Sequence, residues 1–220
     1  MNALFDLDGT LIDSRAGIIH AMRYALQQIG RNVPTDAELE RLIGPPTQDA
    51  FTALVGAENT GLVTEAIRLY RLQYSEHGLF EAAVYPGILS ALSMIQVWGW
   101  PLYIATSKPA AYALRIAEHF GLTGYFRGIF GSEFDGTRSK KGDLLRHIMM
   151  AERLDPIHTV MIGDREHDMR GAQANSLCSI GVLWGFGTRA ELLAAGADAL
   201  CDTPENLPRE LRLESTDASP

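Results

Sequence analysis

Cysteine is nearly absent from this 220-residue chain: there are two, Cys178 and Cys201, in apolar surroundings and without metal-ligand spacing. That excludes a disulfide-stapled fold and a thiolate metal site, and reduced, buried thiols in a cytoplasmic protein are expected. Long apolar runs are missing too. None approaches the ~18 residues that a membrane span requires, and the opening MNALFD has no basic segment and meets an acid at once. No membrane partner is expected. There is no run of Lys and Arg, and the formal charge is −8, so a nucleic acid held through its phosphates is not expected as a partner. Coiled-coil heptads, internal repeats and low-complexity tracts are also lacking, and a monomer is expected.

What is present is a composition of 46% apolar and 21% charged residues, enough for a packed core and too apolar for a disordered chain. Short apolar runs read as buried strands: ALF (3–5), PLYIAT (101–106), GIFG (128–131), TVMIG (159–163), SIGVLW (179–184) and ADALC (197–201). Between them lie helical patterns such as ILSALSMIQVW before Gly99, AAYALRIAEHF before Gly121, and GDLLRHIMMAERL before Asp155-Pro156. This alternation implies an α/β fold, a parallel Rossmann-like sheet with helices on both faces. Residues 15–83 break the pattern and read as helices only, which is too long for a loop. We therefore expect an α/β core from 1–14 and 84–205, an inserted all-helical cap over 15–83, and a tail over 206–220 that is partly disordered.

Sites in open α/β sheets form beyond the carboxyl ends of the strands. There the sequence places Asp6 and Asp8 after the first strand, Thr106, Ser107 and Lys108 after the second, Glu133 and Asp135 after the third, and Asp164 and Asp168 after the fourth. Residues two apart in an extended segment point the same way, and residues four apart on a helix share a face. Asp6 with Asp8, and Asp164 with Asp168, can thus present carboxylates to one point. Such a cluster is hard to keep ionised without a divalent cation, and an all-oxygen donor set favours Mg²⁺.

DLDGT at 6–10, Thr106 at a strand end, Lys141 opening a helix in SKKGDLL, and GDREHD at 163–168 together resemble the four motifs of the haloacid dehalogenase-like hydrolase superfamily, in order and spacing. The helical insert resembles the cap of its phosphoglycolate phosphatase-like branch, as do IGPP at 43–46 and VYPG at 84–87. The resemblance implies a phosphomonoesterase that uses Mg²⁺ and acts on a small phosphorylated metabolite. Asp6 is then the nucleophile that forms an aspartyl-phosphate, and Asp8 the acid and base. Mg²⁺ would sit among Asp6, the backbone carbonyl of Asp8, Asp164 and Asp168, while Thr106, Ser107 and Lys141 hold phosphate oxygens. Thr10, as a hydrogen-bonder to Asp8, and Lys108 are secondary candidates. Phosphoglycolate is the leading substrate, ahead of a nucleoside monophosphate, a sugar phosphate, or mutase-type transfer to a second hydroxyl.

Two positions depart from the usual motifs: Lys140-Lys141-Gly142 has no proline, and Arg165 stands where a small hydroxyl residue is common. Arg23, Arg68 and Arg71 are possible carboxylate readers, and residues 43–46 are expected to meet the leaving group. One rival reading uses GFGTRA (185–190), which matches a dinucleotide fingerprint with Asp202 downstream. Almost no sheet follows it to complete a nucleotide crevice, and Thr188 with Glu191 reads equally well as a helix capping box.

Overall fold

The computed structural model describes residues 1–217. The central sheet contains β1 (Asn2–Phe5), β4 (Leu102–Pro109), β5 (Gly128–Ser132), β6 (Thr159–Gly163), β7 (Cys178–Val182) and β8 (Ala199–Cys201). They lie in the order β5-β4-β1-β6-β7-β8, all parallel. The remaining strands, β2 (Ile12–Asp13) and β3 (Ala83–Val84), form a separate antiparallel pair. The helices are α1 (Arg15–Gln28), α2 (Asp36–Glu40), α3 (Thr47–Val55), α4 (Thr60–Gln73), α5 (Ile88–Val97), α6 (Ala110–His119), α7 (Lys141–Glu152), α8 (Glu166–Gln173), α9 (Arg189–Ala194) and α10 (Leu207–Asp217).

Both faces of the sheet are covered, so its strands are apolar without alternation. Within β1 the period of two still sorts the side chains. Ala3 and Phe5 join the larger core with Ile88, Leu92, Ile116 and residues of the insert, whereas Leu4 joins Tyr103, Leu144 and Met161 on the opposite face. The insert shares that larger core: Ile18, Phe51 and Tyr74 are buried in the same cluster as Phe5 and Tyr112.

β1 is the strand from which the chain order runs both ways, and a crevice opens at such a point. Phe5 is level with Ile104 on one side and Ile162 on the other. Asp6 is therefore level with Ala105 and Gly163, and Thr106 and Asp164 are the next residues out on the flanking strands. The β2–β3 pair is the neck of the insert: Ile12 faces Val84 and Asp13 faces Ala83. Among the described residues, no strand lies between those two crossings.

The sequence-read elements sit where expected to within a few residues, with differences at three places. Within the stretch read as helices only, α4 ends at Gln73 and the chain continues as a π-helical turn over Tyr74–Gly78. The two-residue strands of the neck are too short for any periodicity to reveal them. The tail expected from 206 onward is helical over Leu207–Asp217, because Leu207 and Leu211 fit one face of a helix and are fully buried in the core; residues 218–220 lie outside the described residues. Cys178 and Cys201 are free thiols, and among the described residues no helix is long and apolar enough to cross a membrane.

Because Leu211 anchors α10 in the core, Leu211→Ala should lower the unfolding free energy by about 2–5 kcal/mol in urea titrations. Val97→Ala, at a position 84% exposed, should stay within about 0.5 kcal/mol.

Candidate active site

Asp6 leaves β1 with its backbone N–H still in the ladder, donating to Ile162 O at 2.9 Å. Gly9 then takes φ +80, a left-handed turn that returns the chain toward β6. A Cβ at Gly9 would stand 2.6 Å from the Asp164 Cγ, so no side chain fits between the two segments. Asp164 follows β6, and Asp168 lies one helical turn further on, inside α8. Asp6, Asp164 and Asp168 are each nearly or fully buried, and each offers an oxygen within 4.8 Å of the others.

Lys141 lies among them. A lysine in the first turn of a helix opposes the helix dipole, so its place at the start of α7 needs stronger partners. It has them: Nζ is 2.9 Å from Asp6 Oδ1, 2.8 Å from Asp168 Oδ1 and 2.7 Å from the Ala105 carbonyl oxygen. Two carboxylates pair with its charge, and the carbonyl takes a hydrogen bond. Lys140 is exposed and occupies the N-cap position without a side-chain capping hydrogen bond.

Three buried carboxylates against one ammonium leave two negative charges unmatched. Burial pushes the Asp6 carboxyl up from its ordinary 3.8 to about 7; the Lys141 ammonium pulls it back, and Asp168 and Asp8 add to the rise. Asp164 is raised well above the usual carboxylate range, by burial first and then by Asp168 and Asp6. Burial works against the charge on Lys141, yet Asp168 and Asp6 outweigh it and hold the ammonium above its ordinary range. The all-oxygen donors, the spacing and the charge deficit all fit a hard divalent cation.

Asp8 lies apart from that cluster. Its Oδ1 is 2.9 Å from Lys108 Nζ. The same ammonium donates to the Tyr74 hydroxyl and stands 4.7 Å from the centre of the Tyr74 ring. Tyr74 belongs to the insert, stacked on Tyr70 and edge-on to Tyr112. Thr106 is buried, and its hydroxyl accepts from the Lys108 N–H at 3.2 Å, which leaves the hydroxyl hydrogen free to donate. Ser107 lines the same cavity.

Several expectations are corrected. The Thr10 hydroxyl approaches Asp164 Oδ1 at 3.4 Å and not Asp8, since the turn at Gly9 carries Thr10 toward β6. Lys108 occupies the place beside Asp8. Glu133 pairs with Arg138, and Asp135 accepts from the Thr137 N–H in its own loop. Arg23 pairs with Asp36 and Arg68 with Glu65 on the surface of the insert, so of the three arginines only Arg71 lines the cavity.

The GFGTRA segment also has a place here. The Phe186 N–H donates to Asp164 Oδ2 at 2.8 Å. A Cβ at Gly187 would overlap the Asp164 carbonyl group, and one at Gly185 would lie 2.6 Å from Asp164 Oδ2. These glycines are small because the segment is the back wall of Asp164. Thr188 does accept from the Glu191 N–H at 3.1 Å, but the Glu191 carboxylate turns to Arg165 Nε at 2.8 Å and the Glu166 N–H at 3.0 Å, so the box is half-made.

Between insert and sheet edge is a cavity of about 60 Å³, with Asp6, Asp8 and Thr106 below and Ile43, Gly44 and Pro45 above. A second lobe of about 250 Å³ adjoins it; Thr47, Arg71, Ser107 and Pro109 line both. Neither Arg165 nor Tyr74 stands out in the sequence as part of this site, because their partners lie far away in the chain.

Residues 3–182 match the family model described as "Haloacid dehalogenase-like hydrolase". The chain is 44% identical to a 5'-nucleotidase of Pseudomonas aeruginosa, over 88% of this chain and 87% of that one. It is 39% identical to the tyrosine-protein kinase PtkA of Mycobacterium tuberculosis, over 86% of this chain, and spans 64% of that longer protein. The crystal structure of a predicted phosphatase from Clostridium acetobutylicum superposes with a TM-score of 0.92 at 39% identity, covering 96% of this chain and 98% of that one.

A carboxyl raised in the folded state keeps its proton there at pH values where the unfolded chain has lost it. The metal-free protein should therefore lose stability as pH rises from about 4 to about 7 through Asp6. Added Mg²⁺ should raise Tm more at pH 8, where fewer protons compete for these carboxylates, than at pH 5; thermal melts with and without chelator check this.

Proposed function

The chain belongs to the haloacid dehalogenase-like hydrolases and is a phosphoric monoester hydrolase, and from that premise we propose how its residues divide the work. Asp6 attacks the phosphorus of a small phosphate ester and carries the phosphoryl group until water removes it. Asp8 gives a proton to the departing alkoxide and later takes one from the attacking water. The observation that carries this reading is the buried set Asp6, Asp164 and Asp168, whose oxygens lie within 4.8 Å of one another, with the Lys141 ammonium paired to Asp6 and Asp168.

Lys141 holds one oxygen of Asp6 and leaves the other to face the substrate, so it orients the nucleophile before it meets any phosphate oxygen. Thr106 offers its free hydroxyl hydrogen to the phosphoryl group, and Ser107 lies beside it. Lys108 fixes Asp8, and Tyr74 fixes Lys108, so the acid is in place when the insert covers the site. Mg²⁺ would be held by Asp6, the Asp8 carbonyl, Asp164 and Asp168, and would supply positive charge against the phosphoryl oxygens. Closure of the insert limits the water that can reach the intermediate.

For the substrate, a nucleoside 5'-monophosphate fits best. The 44%-identical relative is named a 5'-nucleotidase, and the 250 Å³ lobe beside Arg71 and Phe134 offers room for a bulky leaving group. Phosphoglycolate is the second reading, favoured by the small size of the inner cavity and by the IGPP and VYPG segments. Release of phosphate from a panel holding adenosine monophosphate, phosphoglycolate and glucose phosphates decides between them. If nucleoside monophosphates rank first, replacing Arg71 by Ala should raise their KM more than that of phosphoglycolate.

Chelation should abolish turnover, and Mg²⁺ should restore it. Asp6→Asn should keep the fold by circular dichroism and lower kcat at least about 10³-fold; turnover within tenfold of the parent would require another nucleophile.

A further inference from the structure

We propose that Arg165 clasps the ceiling of the active-site cavity shut and thereby sets how large a leaving group the enzyme accepts. The inference rests on the phosphatase reading, and it concerns a residue that the catalytic steps do not use. Arg165 follows Asp164, and its side chain is almost wholly buried. Its guanidinium crosses from the core to the insert: Nη1 donates to the Ile43 carbonyl, and Nη2 to the Arg41 carbonyl at 3.3 Å. Both carbonyls lie just past α2, where a helix leaves acceptors without partners of its own. Nε donates to Glu191 at 2.8 Å, so the charge is balanced from α9 and the fork is aimed upward.

Close packing accompanies these bonds. A Cβ at Gly44 would lie 3.0 Å from Arg165 Cγ, and one at Gly187 would lie 3.5 Å from its Cδ. Gly44 also takes φ +110, a conformation that favours glycine. The segment held in this way, Leu42 to Pro45, lines the cavity above Asp6 and Asp8. One side chain thus ties the loop of Asp164 to the residues a leaving group would touch. A serine at position 165 could reach none of these partners, so the ceiling would be free to lift.

Amide hydrogen exchange and steady-state kinetics on the full chain test this without knowing the natural substrate. In Arg165→Ser, exchange over residues 41–46 should rise about tenfold or more, while β1 and β6 keep their protection. The ratio of kcat/KM for phosphoglycolate to that for the bulkier adenosine monophosphate should fall about tenfold. A merely destabilised protein would lose both activities in proportion. Arg165→Lys keeps the charge and the bulk but can satisfy only part of the set, and should fall between the two. Glu191→Gln loosens the guanidinium from the other side and should raise exchange over 41–46 severalfold, which keeps the test available if the serine variant does not fold. Unchanged exchange over 41–46, or an equal change toward both esters, overturns the proposal. If the parent protein cleaves no ester, the phosphatase reading fails, and the exchange results still decide whether the clasp exists.

Discussion

The organising constraint is a charge deficit underneath a protein ceiling. Three carboxylates from two strand ends and one helix are withdrawn from water against a single lysine. Ions in that position cost several kcal/mol each unless they are paired, and hydrophobic burial elsewhere must hold the cluster together. The surrounding chain is arranged to keep the acids close: the left-handed turn at Gly9, the N–H of Phe186, and the glycines that let the 185–187 segment press against Asp164. A cation that fills the deficit contributes to folding and prepares the chemistry at the same time.

Much of this was legible in the sequence because it depends on local patterns. Short apolar runs ending in Asp6, Thr106 and Asp164 gave both the strands and the edge at which they end. The 15–83 stretch declared itself by helical spacing without a strand. The parts that were not legible depend on contacts between distant positions. Arg165 could be noticed as unusual, but its partners Arg41 and Ile43 lie more than a hundred residues away. Tyr74 packs on Tyr70, and its hydroxyl reaches Lys108, a partner 34 positions further along the chain. Leu207 and Leu211 were hidden in a polar, proline-containing stretch, and only the groove beside α5 and β8 makes a helix of it.

The GFGTRA segment shows how a motif misleads when read alone. Glycines that permit close approach to a pyrophosphate permit close approach to any compact polar group. Here the compact group belongs to the protein itself: the backbone and carboxylate of Asp164. The helix that follows adds Glu191, which serves Arg165. The same residue types and the same strand-turn-helix setting thus support a different role, and the deciding fact is what lies opposite the turn.

The antiparallel neck has a bearing on ancestry and engineering. Asp13 and Ala83 are direct partners, so their Cα atoms stand roughly 5 Å apart, and seventy or so residues leave and rejoin the sheet through one doorway. A module mounted in this way can be replaced with little rerouting of the strands that carry the acids, provided the replacement refills the core that Ile18, Phe51 and Tyr74 share with Phe5 and Tyr112. Selectivity and reactivity can then be inherited separately, and a graft that brings its own partner for position 165 would be the natural starting point for building new preferences onto this scaffold.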